Sequence, residues 1–199
     1  TMKEFIFSVL EFLSELGYFG IALGLMIEVI PSEIVLGYGG YMISEGILGY
    51  PGAVIAGTIG GTLAQLFLYW AGYYGGRPFL EKYGKYVFIK KKQIDLSEQW
   101  FRKYGVGVIF FARFIPVVRH AISIPAGIAK MSATKFTLYT VAAVIPWTIL
   151  FLYLGHALGE NWSHIKEYAA QYTMPIIIGA VILGVIYFLI KKTKKTTTD

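Results

Sequence analysis

The chain contains 199 residues, of which 56% are hydrophobic and 15% are charged, whereas about 25% of residues are charged in an ordinary soluble domain. This composition is typical of one helical membrane domain and argues against a soluble enzyme or a two-domain chain. The formal net charge is +6, but most basic residues lie in one loop and in the C-terminal tail beside apolar segments, so we expect membrane topology rather than nucleic-acid binding to explain it.

The sequence lacks the residue patterns of common catalytic sites. It contains no cysteine, and His120, His156 and His164 do not follow a metal-ligand spacing. Asp95 and Asp199 lie outside the apolar segments, so a serine-histidine-aspartate triad would have no buried acid. We therefore expect no metal, no cofactor and no enzymatic activity.

The hydrophobic pattern distinguishes spanning segments from surface segments. Residues 1–16 combine apolar residues with glutamates, which is typical of an interfacial or partly inserted helix. Residues 51–74, 134–158 and 174–190 are apolar and close to the spanning length. Residues 77–104 combine lysines with aromatic residues, which indicates a basic amphipathic segment on the inner membrane surface.

Two other apolar segments contain residues that a straight spanning helix would exclude. These residues are Glu28, Pro31 and Glu33 in residues 17–42, and Arg113, Pro116, Arg119, His120, Pro125 and Gly127 in residues 105–131. Proline removes a backbone donor and interrupts a helix, and a membrane tolerates such a break only where protein or water satisfies the freed groups. We predict breaks at Pro31 and Pro116, with Pro125 and Gly127 as further breaks in the second segment.

The basic residues predict how the second of these segments meets the membrane. Cytoplasmic loops carry an excess of lysine and arginine. If residues 105–131 crossed the bilayer, Lys130, Lys135 and the basic tail of residues 191–199 would all lie outside. A hairpin that enters and leaves on the inner side keeps them inside, so we predict a re-entrant hairpin and a cytoplasmic C-terminus.

The two halves of the chain resemble each other weakly. Glu28 and Pro31 have the same spacing as Arg113 and Pro116, and the tripeptide Phe-Leu-Tyr recurs in the span that follows each pair. A hairpin plus one crossing is an odd number of crossings. The second copy is therefore inverted relative to the first, as in many secondary transporters.

The predicted fold class is an all-α polytopic membrane protein with an inverted repeat and one additional transmembrane helix. We expect one membrane domain, residues 1–199, consisting of an interfacial helix (1–16), a first repeat with an outer re-entrant hairpin (17–76), a cytoplasmic basic segment (77–104), a second repeat with an inner hairpin (105–160), a last transmembrane helix (174–190) and a cytoplasmic tail (191–199).

The charged residues of the two hairpins indicate a functional site. An isolated charge costs at least about 2.5 kcal/mol inside a membrane, so such residues usually face a cavity or a partner. Arginine binds phosphate through two parallel hydrogen bonds, so we assign phosphate binding to Arg113 and Arg119. Glu28 and Glu33 are candidates for proton coupling or counter-ions, and His120 is a secondary candidate for a proton or a donor. The alternative is a set of buried salt bridges that only holds the hairpins together.

The same residues carry a family resemblance. The run FFARFIPVVR at residues 110–119, continued by PAG at residues 125–127, resembles the signature of the DedA family, also called the SNARE-associated or VTT domain family. The run EVIPSE at residues 28–33 is similar to the acidic first half of that family. The resemblance implies paired re-entrant hairpins and lipid translocation coupled to the proton motive force.

The resemblance also implies a substrate and partners. Its bacterial members include flippases of the plasma membrane that recycle undecaprenyl phosphate, the lipid carrier of cell-wall synthesis, and the family's two acids and two arginines match Glu28, Glu33, Arg113 and Arg119. Protons and membrane lipids are the other expected partners. The open alternatives are a translocase or scramblase for phosphatidylethanolamine, a proton-coupled exporter of small cations and a membrane phosphatase, and a homodimer is an open alternative for the assembly.

The topology can be tested with single cysteines, because the chain has none of its own. The charge pattern places the loop containing Lys92 inside and residues 44–50 outside. In intact cells, an impermeant thiol reagent should therefore label Glu45→Cys and should leave Lys92→Cys unlabelled until the membrane is opened. Labelling of Lys92→Cys from the outside would contradict the predicted topology.

Overall fold

A computed structural model describes residues 1–83, 91–115 and 118–167, together with residues 171, 175, 178–179, 181–183 and 185–186. Its helices in chain order are α1 (Met2–Glu15), α2 (Tyr18–Ile27), α3 (Ser32–Ser44), α4 (Tyr50–Trp70), α5 (Gly76–Tyr83), α6 (Lys91–Tyr104), α7 (Val108–Ala112), α8 (Val118–Ala121), α9 (Ser123–Ile128) and α10 (Ala133–Leu158). No strand occurs among the described residues. The prediction of an all-helical fold is confirmed for this part of the chain.

Two of the helical stretches are long and apolar enough to cross a membrane. They are Tyr50–Pro78, which contains α4, and Ala133–Glu167, which contains α10. These stretches include the predicted spans at residues 51–74 and 134–158. The predicted last span, residues 174–190, falls largely on positions outside the described residues, and the tail at residues 191–199 falls entirely outside them.

The two long helices pack against each other in opposite directions. At one end, the Tyr50 hydroxyl at the start of α4 lies 2.6 Å from Nδ1 of His156 near the end of α10. At the other end, the ring of Tyr69 stacks on Phe136 with 4.7 Å between the ring centroids. This antiparallel pair is the frame on which the shorter helices pack.

The first unusual segment, the apolar residues 17–42 that contain two glutamates and a proline, breaks where its sequence predicts. Helix α2 ends at Ile27, and Glu28 caps it with a left-handed backbone at φ 54°. Helix α3 begins at Ser32, directly after Pro31. Proline has no N–H to contribute and disfavours helical geometry in the residue before it, so the chain leaves the helix before Pro31 and re-enters it after. The break therefore has a glutamate on each side: Glu28 caps α2, and Glu33 lies in the first turn of α3.

The second unusual segment, residues 105–131, contains three short helices, α7, α8 and α9. The chain leaves α7 at Ala112 and enters α8 at Val118, while Pro116 itself lies outside the described residues. The breaks predicted at Pro125 and Gly127 do not occur there, because both residues lie inside α9. Pro125 is tolerated at the third helical position, since the N–H groups of a first turn have no acceptor within the helix.

Glycines let helices from the two unusual segments approach the long helices at backbone distance. A Cβ atom on Gly40 of α3 would lie 2.2 Å from the carbonyl oxygen of Leu152 in α10. A Cβ atom on Gly127 of α9 would lie 2.0 Å from the carbonyl oxygen of Tyr69 in α4. No other residue type fits at these positions without moving a helix. Helix α3 therefore packs on α10, and α9 packs on α4.

The basic segment between the two halves forms two helices joined by ion pairs. Arg77 of α5 donates to Glu81 at 3.2 Å, to Glu98 of α6 at 3.1 Å, and also to Asp95 of α6. Helix α6 leaves an apolar face exposed, made up of Leu96, Trp100 and Tyr104, at a spacing that puts all three on one side. The segment is therefore amphipathic, with its acids turned towards Arg77.

The close helix contacts predict which glycines the fold requires. We expect Gly40→Ala and Gly127→Ala to lower the free energy of unfolding by about 1–3 kcal/mol, because each new methyl group overlaps a backbone atom of the neighbouring helix. Gly107→Ala is the matched control, since nothing lies within 4 Å of its added Cβ and its φ of −64° suits alanine. Thermal unfolding in detergent micelles measures the difference. Equal melting temperatures for all three variants would contradict the packing described.

Candidate functional site

Arg113 is buried in the middle of the helical bundle. Only 4% of its surface is exposed. Its Nη1 atom donates to Oε1 of Gln65 and to Oγ of Ser123, both at 2.9 Å, and also to the backbone carbonyl of Arg119. Its Nη2 atom donates to Oγ1 of Thr140 at 3.0 Å. This one guanidinium thus connects α4, α8, α9 and α10.

Arg119 lies on α8 and faces the break between α2 and α3. Its Nη1 atom donates to Oγ of Ser32 at 3.2 Å and lies 3.7 Å from Oε1 of Glu33. Its guanidinium carbon is 4.4 Å from the ring centroid of Trp147 on α10, which is within the range of a cation–π contact. Its side chain is 11% exposed, and its buried Nε has no hydrogen-bond partner among the described residues. Arg119 therefore keeps an unused donor.

A third polar group contains Glu28, His120 and Gln65. Oε1 of Glu28 lies 3.3 Å from Nδ1 of His120 and 3.5 Å from Nε2 of Gln65. Nε2 of Gln65 is also 2.9 Å from Nδ1 of His120. Glu28 and His120 are both partly exposed, so this group borders the surface while Arg113 lies behind it.

The contact between Arg119 and Trp147 lies at mid-depth along the long helices, whereas Arg113 lies nearer one end, with its guanidinium carbon 5.4 Å from the ring centroid of Phe136. Trp147, on which Arg119 stacks, is roughly 15 Å along the axis of α10 from both Phe136 and His156, at about 1.5 Å per residue. Phe136 and His156 mark the two ends of the antiparallel contact between α4 and α10. The guanidinium of Arg119 is therefore far from either end of the contact between α4 and α10.

The structure brings most of the predicted site residues together. Glu33 meets Arg119, Glu28 meets His120, and Arg113 holds the backbone of Arg119. Of the two candidate counter-ions, Glu33 lies within salt-bridge distance of an arginine, and Glu28 lies beside His120 instead. Among the described residues, no carboxylate lies within salt-bridge distance of Arg113, because neutral oxygens satisfy its Nη atoms instead.

Several residues of the site were not identified from the sequence. They are Ser32, Gln65, Ser123, Thr140 and Trp147. Gln65 could have been identified from the sequence, because it is an amide in a segment apolar enough to span a membrane, where an unpaired polar group is costly. The hydroxyl residues carried none, since serine and threonine are common in membrane helices and often bond their own backbone.

Comparison with known proteins agrees with the family resemblance of the sequence motif that contains Arg113. The VTT domain family matches residues 30–157, which include every charged residue of the site except Glu28. Over 191 residues the chain is 63% identical to Undecaprenyl phosphate transporter A of Bacillus subtilis (strain 168), covering 96% of each chain. The chain belongs to the VTT domain (DedA) family.

More distant VTT-domain relatives cover nearly the whole chain as well. The chain is 31% identical to Undecaprenyl phosphate transporter A of Staphylococcus aureus (strain NCTC 8325 / PS 47), which covers 92% of this chain and 94% of the relative. It is 40% identical to a protein of Lactococcus lactis subsp. lactis (strain IL1403) named Alkaline phosphatase-like protein, with 91% and 87% covered. No solved structure matches the chain.

Two threonines of α10 test the hydrogen bonding of Arg113. Thr140 and Thr148 are both buried, but only Thr140 accepts from Arg113, while Oγ1 of Thr148 has no partner. We expect Thr140→Val to lower the free energy of unfolding by about 1.5–3 kcal/mol, because it removes an acceptor from a buried charge. Thr148→Val should leave stability unchanged or slightly raised, since the lost hydroxyl made no bond.

Thermal unfolding of the two valine variants in the same detergent provides the measurement. The substitutions are chemically identical and lie on the same helix, so each serves as the control for the other. Equal losses of stability would show that the bond between Arg113 and Thr140 contributes nothing specific.

Proposed function

We propose that the chain is a translocase that returns undecaprenyl phosphate across the bacterial plasma membrane and that uses the proton motive force. Two relatives that cover more than nine-tenths of the chain are named as undecaprenyl phosphate transporters. The observation that carries the proposal is Arg119, a cation at mid-depth in the bundle with a donor that no group in the described part of the chain occupies. The role is transport rather than hydrolysis.

Arg119 is suited to hold a phosphate because its protein partners are few and weak. Its contact with Glu33 is long, at 3.7 Å, and its other bond is to a serine hydroxyl. Nε1 of Trp147, beneath the guanidinium, is a second buried donor without a partner. A phosphate can take two guanidinium N–H groups in parallel, which is the arrangement that gives arginine its preference for phosphate.

Arg113 has a different part in the proposed site. Its Nη donors are used by Gln65, Ser123, Thr140 and the carbonyl of Arg119. Its Nε, like that of Arg119, has no partner among the described residues, but Arg113 is only 4% exposed. In this conformation it supplies positive charge and positions Arg119, which is the more accessible of the two arginines. Together the two arginines balance a phosphate monoester, which carries about −1.5 to −2 charge near neutral pH.

Protons enter the proposed cycle through the glutamates. A carboxylate near Arg119 competes with phosphate for its donors, because both anions need the same N–H groups, and Glu28 and Glu33 are the two candidates for this carboxylate. Protonation of a carboxyl group near Arg119 removes that competition and favours the lipid headgroup. The prenyl chain of the substrate stays in the surrounding lipid throughout, since only the headgroup requires a polar path.

The proposed architecture is an inverted repeat of two re-entrant hairpins in a multi-pass membrane protein whose C-terminus is cytoplasmic. The packing of the helices supports it, because each half packs a short helix on the long helix of the other half. Helix α3 packs on α10 at Gly40, and α9 packs on α4 at Gly127, through the same kind of backbone contact. Such symmetry allows the site to open to either side by rocking of one half against the other. The basic residues of the segment between the halves favour the cytoplasmic face.

The bidentate role of Arg119 leads to a test by substitution. Arg119→Lys keeps the positive charge but cannot form two parallel bonds, so we expect translocation of undecaprenyl phosphate to fall at least about tenfold. Arg102→Lys, at an exposed position on α6, is the matched control and should transport as the unmodified protein does. Both variants should remain extractable and monodisperse.

The assay is reconstitution into liposomes with leaflet-resolved detection of the lipid. Undecaprenyl phosphate and phosphatidylethanolamine are compared in parallel, and released inorganic phosphate is measured. Full transport by Arg119→Lys would contradict the phosphate role of Arg119. One of the alternatives would replace the proposal if the protein moved phosphatidylethanolamine alone, exported a small cation alone, or released phosphate without moving lipid.

A further inference from the structure

The orientation of the Gln65 side-chain amide is fixed by its neighbours. Arg113 has only donors, so Oγ of Ser123 must accept from it and must use its own hydrogen elsewhere. That hydrogen points at Oε1 of Gln65, which is 2.8 Å away, and Arg113 donates to the same oxygen. The oxygen of the amide therefore faces Arg113, and its NH₂ group faces Glu28 and His120.

This orientation determines the protonation of His120. Nε2 of Gln65 lies 2.9 Å from Nδ1 of His120. An amide nitrogen can only donate, so Nδ1 must accept and carries no hydrogen. The ring is then a neutral imidazole with its hydrogen on Nε2, because a doubly protonated ring has no acceptor.

The position of Glu28 favours a hydrogen of its own. Its Oε1 atom lies 3.3 Å from the same Nδ1 of His120 and accepts from Nε2 of Gln65 only at 3.5 Å, which is a long hydrogen bond. A carboxylate oxygen and a bare ring nitrogen are both acceptors and repel each other at this distance, whereas a carboxyl hydrogen directed at Nδ1 removes that repulsion. Since Nδ1 carries no hydrogen, we infer that the hydrogen resides on the carboxyl group of Glu28.

We propose that Glu28 and His120 hold one proton as a pair, and that His120 is a positioning residue that makes Glu28, rather than Glu33, the proton carrier of transport. The proposal rests on the proposed function and adds the site at which the proton binds. The charged groups that face the pair are Arg113 and Arg119 from the second unusual segment and Glu33 from α3. Helix α4 presents the neutral amide of Gln65.

Loss of this proton makes Glu28 a competitor of the phosphate for Arg119. When the O–H bond of the Glu28 carboxyl group breaks and the proton passes to water, a carboxylate is left against the lone pair of Nδ1. That carboxylate is repelled by His120 and attracted by Arg119, where it competes with a phosphate. Return of a proton from water restores the neutral pair and frees Arg119. Glu33 stays beside Arg119 as its counter-ion throughout.

The proton can be located without measuring transport. The chain has three histidines, so the ¹⁵N spectrum of histidine-labelled protein in micelles can be assigned with single substitutions. We expect His120 to keep a bare Nδ1 and a protonated Nε2 through the pH range, centred on about 6.5, in which an ordinary imidazole gains its second proton. Infrared spectra should show a protonated carboxyl group that Glu28→Gln removes and Glu33→Gln leaves in place.

Two results of these spectra would overturn the proposal. One is a doubly protonated His120 at neutral pH. The other is a carboxyl band that disappears in Glu33→Gln and persists in Glu28→Gln. These spectra decide the protonation of the pair even if the reconstituted protein moves no undecaprenyl phosphate, in which case the proposed function fails on its own.

Transport measurements test the positioning role. We expect His120→Asn and Glu28→Gln to translocate undecaprenyl phosphate at the same rate with and without an imposed pH gradient, whereas the control His164→Asn keeps the response to the gradient. Glu33→Gln removes the counter-ion of Arg119, so its rate changes, but it still responds to the gradient. An unchanged gradient response in His120→Asn would overturn the role of His120. If His120→Asn does not fold, His120→Gln replaces it with the same expected and contradicting results.

Discussion

The site depends on the burial of one guanidinium. A buried charge must be hydrogen-bonded or paired, and Arg113 meets this requirement with neutral oxygens from α4, α9 and α10 and with the carbonyl of Arg119. Each of these bonds also fixes its acceptor. The amide of Gln65 is oriented by Arg113, and that orientation places its donors towards Glu28 and His120. The positions of the proposed phosphate ligand, Arg119, and of the proposed proton site thus follow from a single buried cation.

The backbone makes this arrangement possible by close helix packing and by interrupted helices. Gly40 and Gly127 allow α3 and α9 to touch the long helices at backbone distance. The break before Pro31 and the short helices around Arg119 then turn charged side chains inward rather than along a continuous helix. Because the site is built from both halves of the chain, a shift of one half against the other changes the distances within it.

Much of this arrangement could be predicted from the sequence, because charges and prolines in apolar segments are costly and therefore informative. The helical class, the break at Pro31 and an ion pair between a glutamate of the first segment and an arginine of the second follow from such residues, whereas the choice of Glu33 and Arg119 as the pair does not. The partners of Arg113 do not, because a buried arginine can be satisfied by carboxylates or by neutral oxygens at similar cost. The helical setting of Gly127 was also unpredictable, since a glycine that ends a helix and a glycine that permits close packing look alike in one sequence.

The claim that Arg119 holds the phosphate of a lipid can be measured as a distance. Solid-state NMR of the reconstituted protein, with ¹⁵N in its arginine side chains and undecaprenyl phosphate in the bilayer, reports dipolar coupling between ³¹P and guanidinium nitrogens. The account predicts strong coupling that disappears when Arg119 alone is replaced by lysine. Coupling that survives this substitution, or that arises only from exposed arginines such as Arg102, would contradict it.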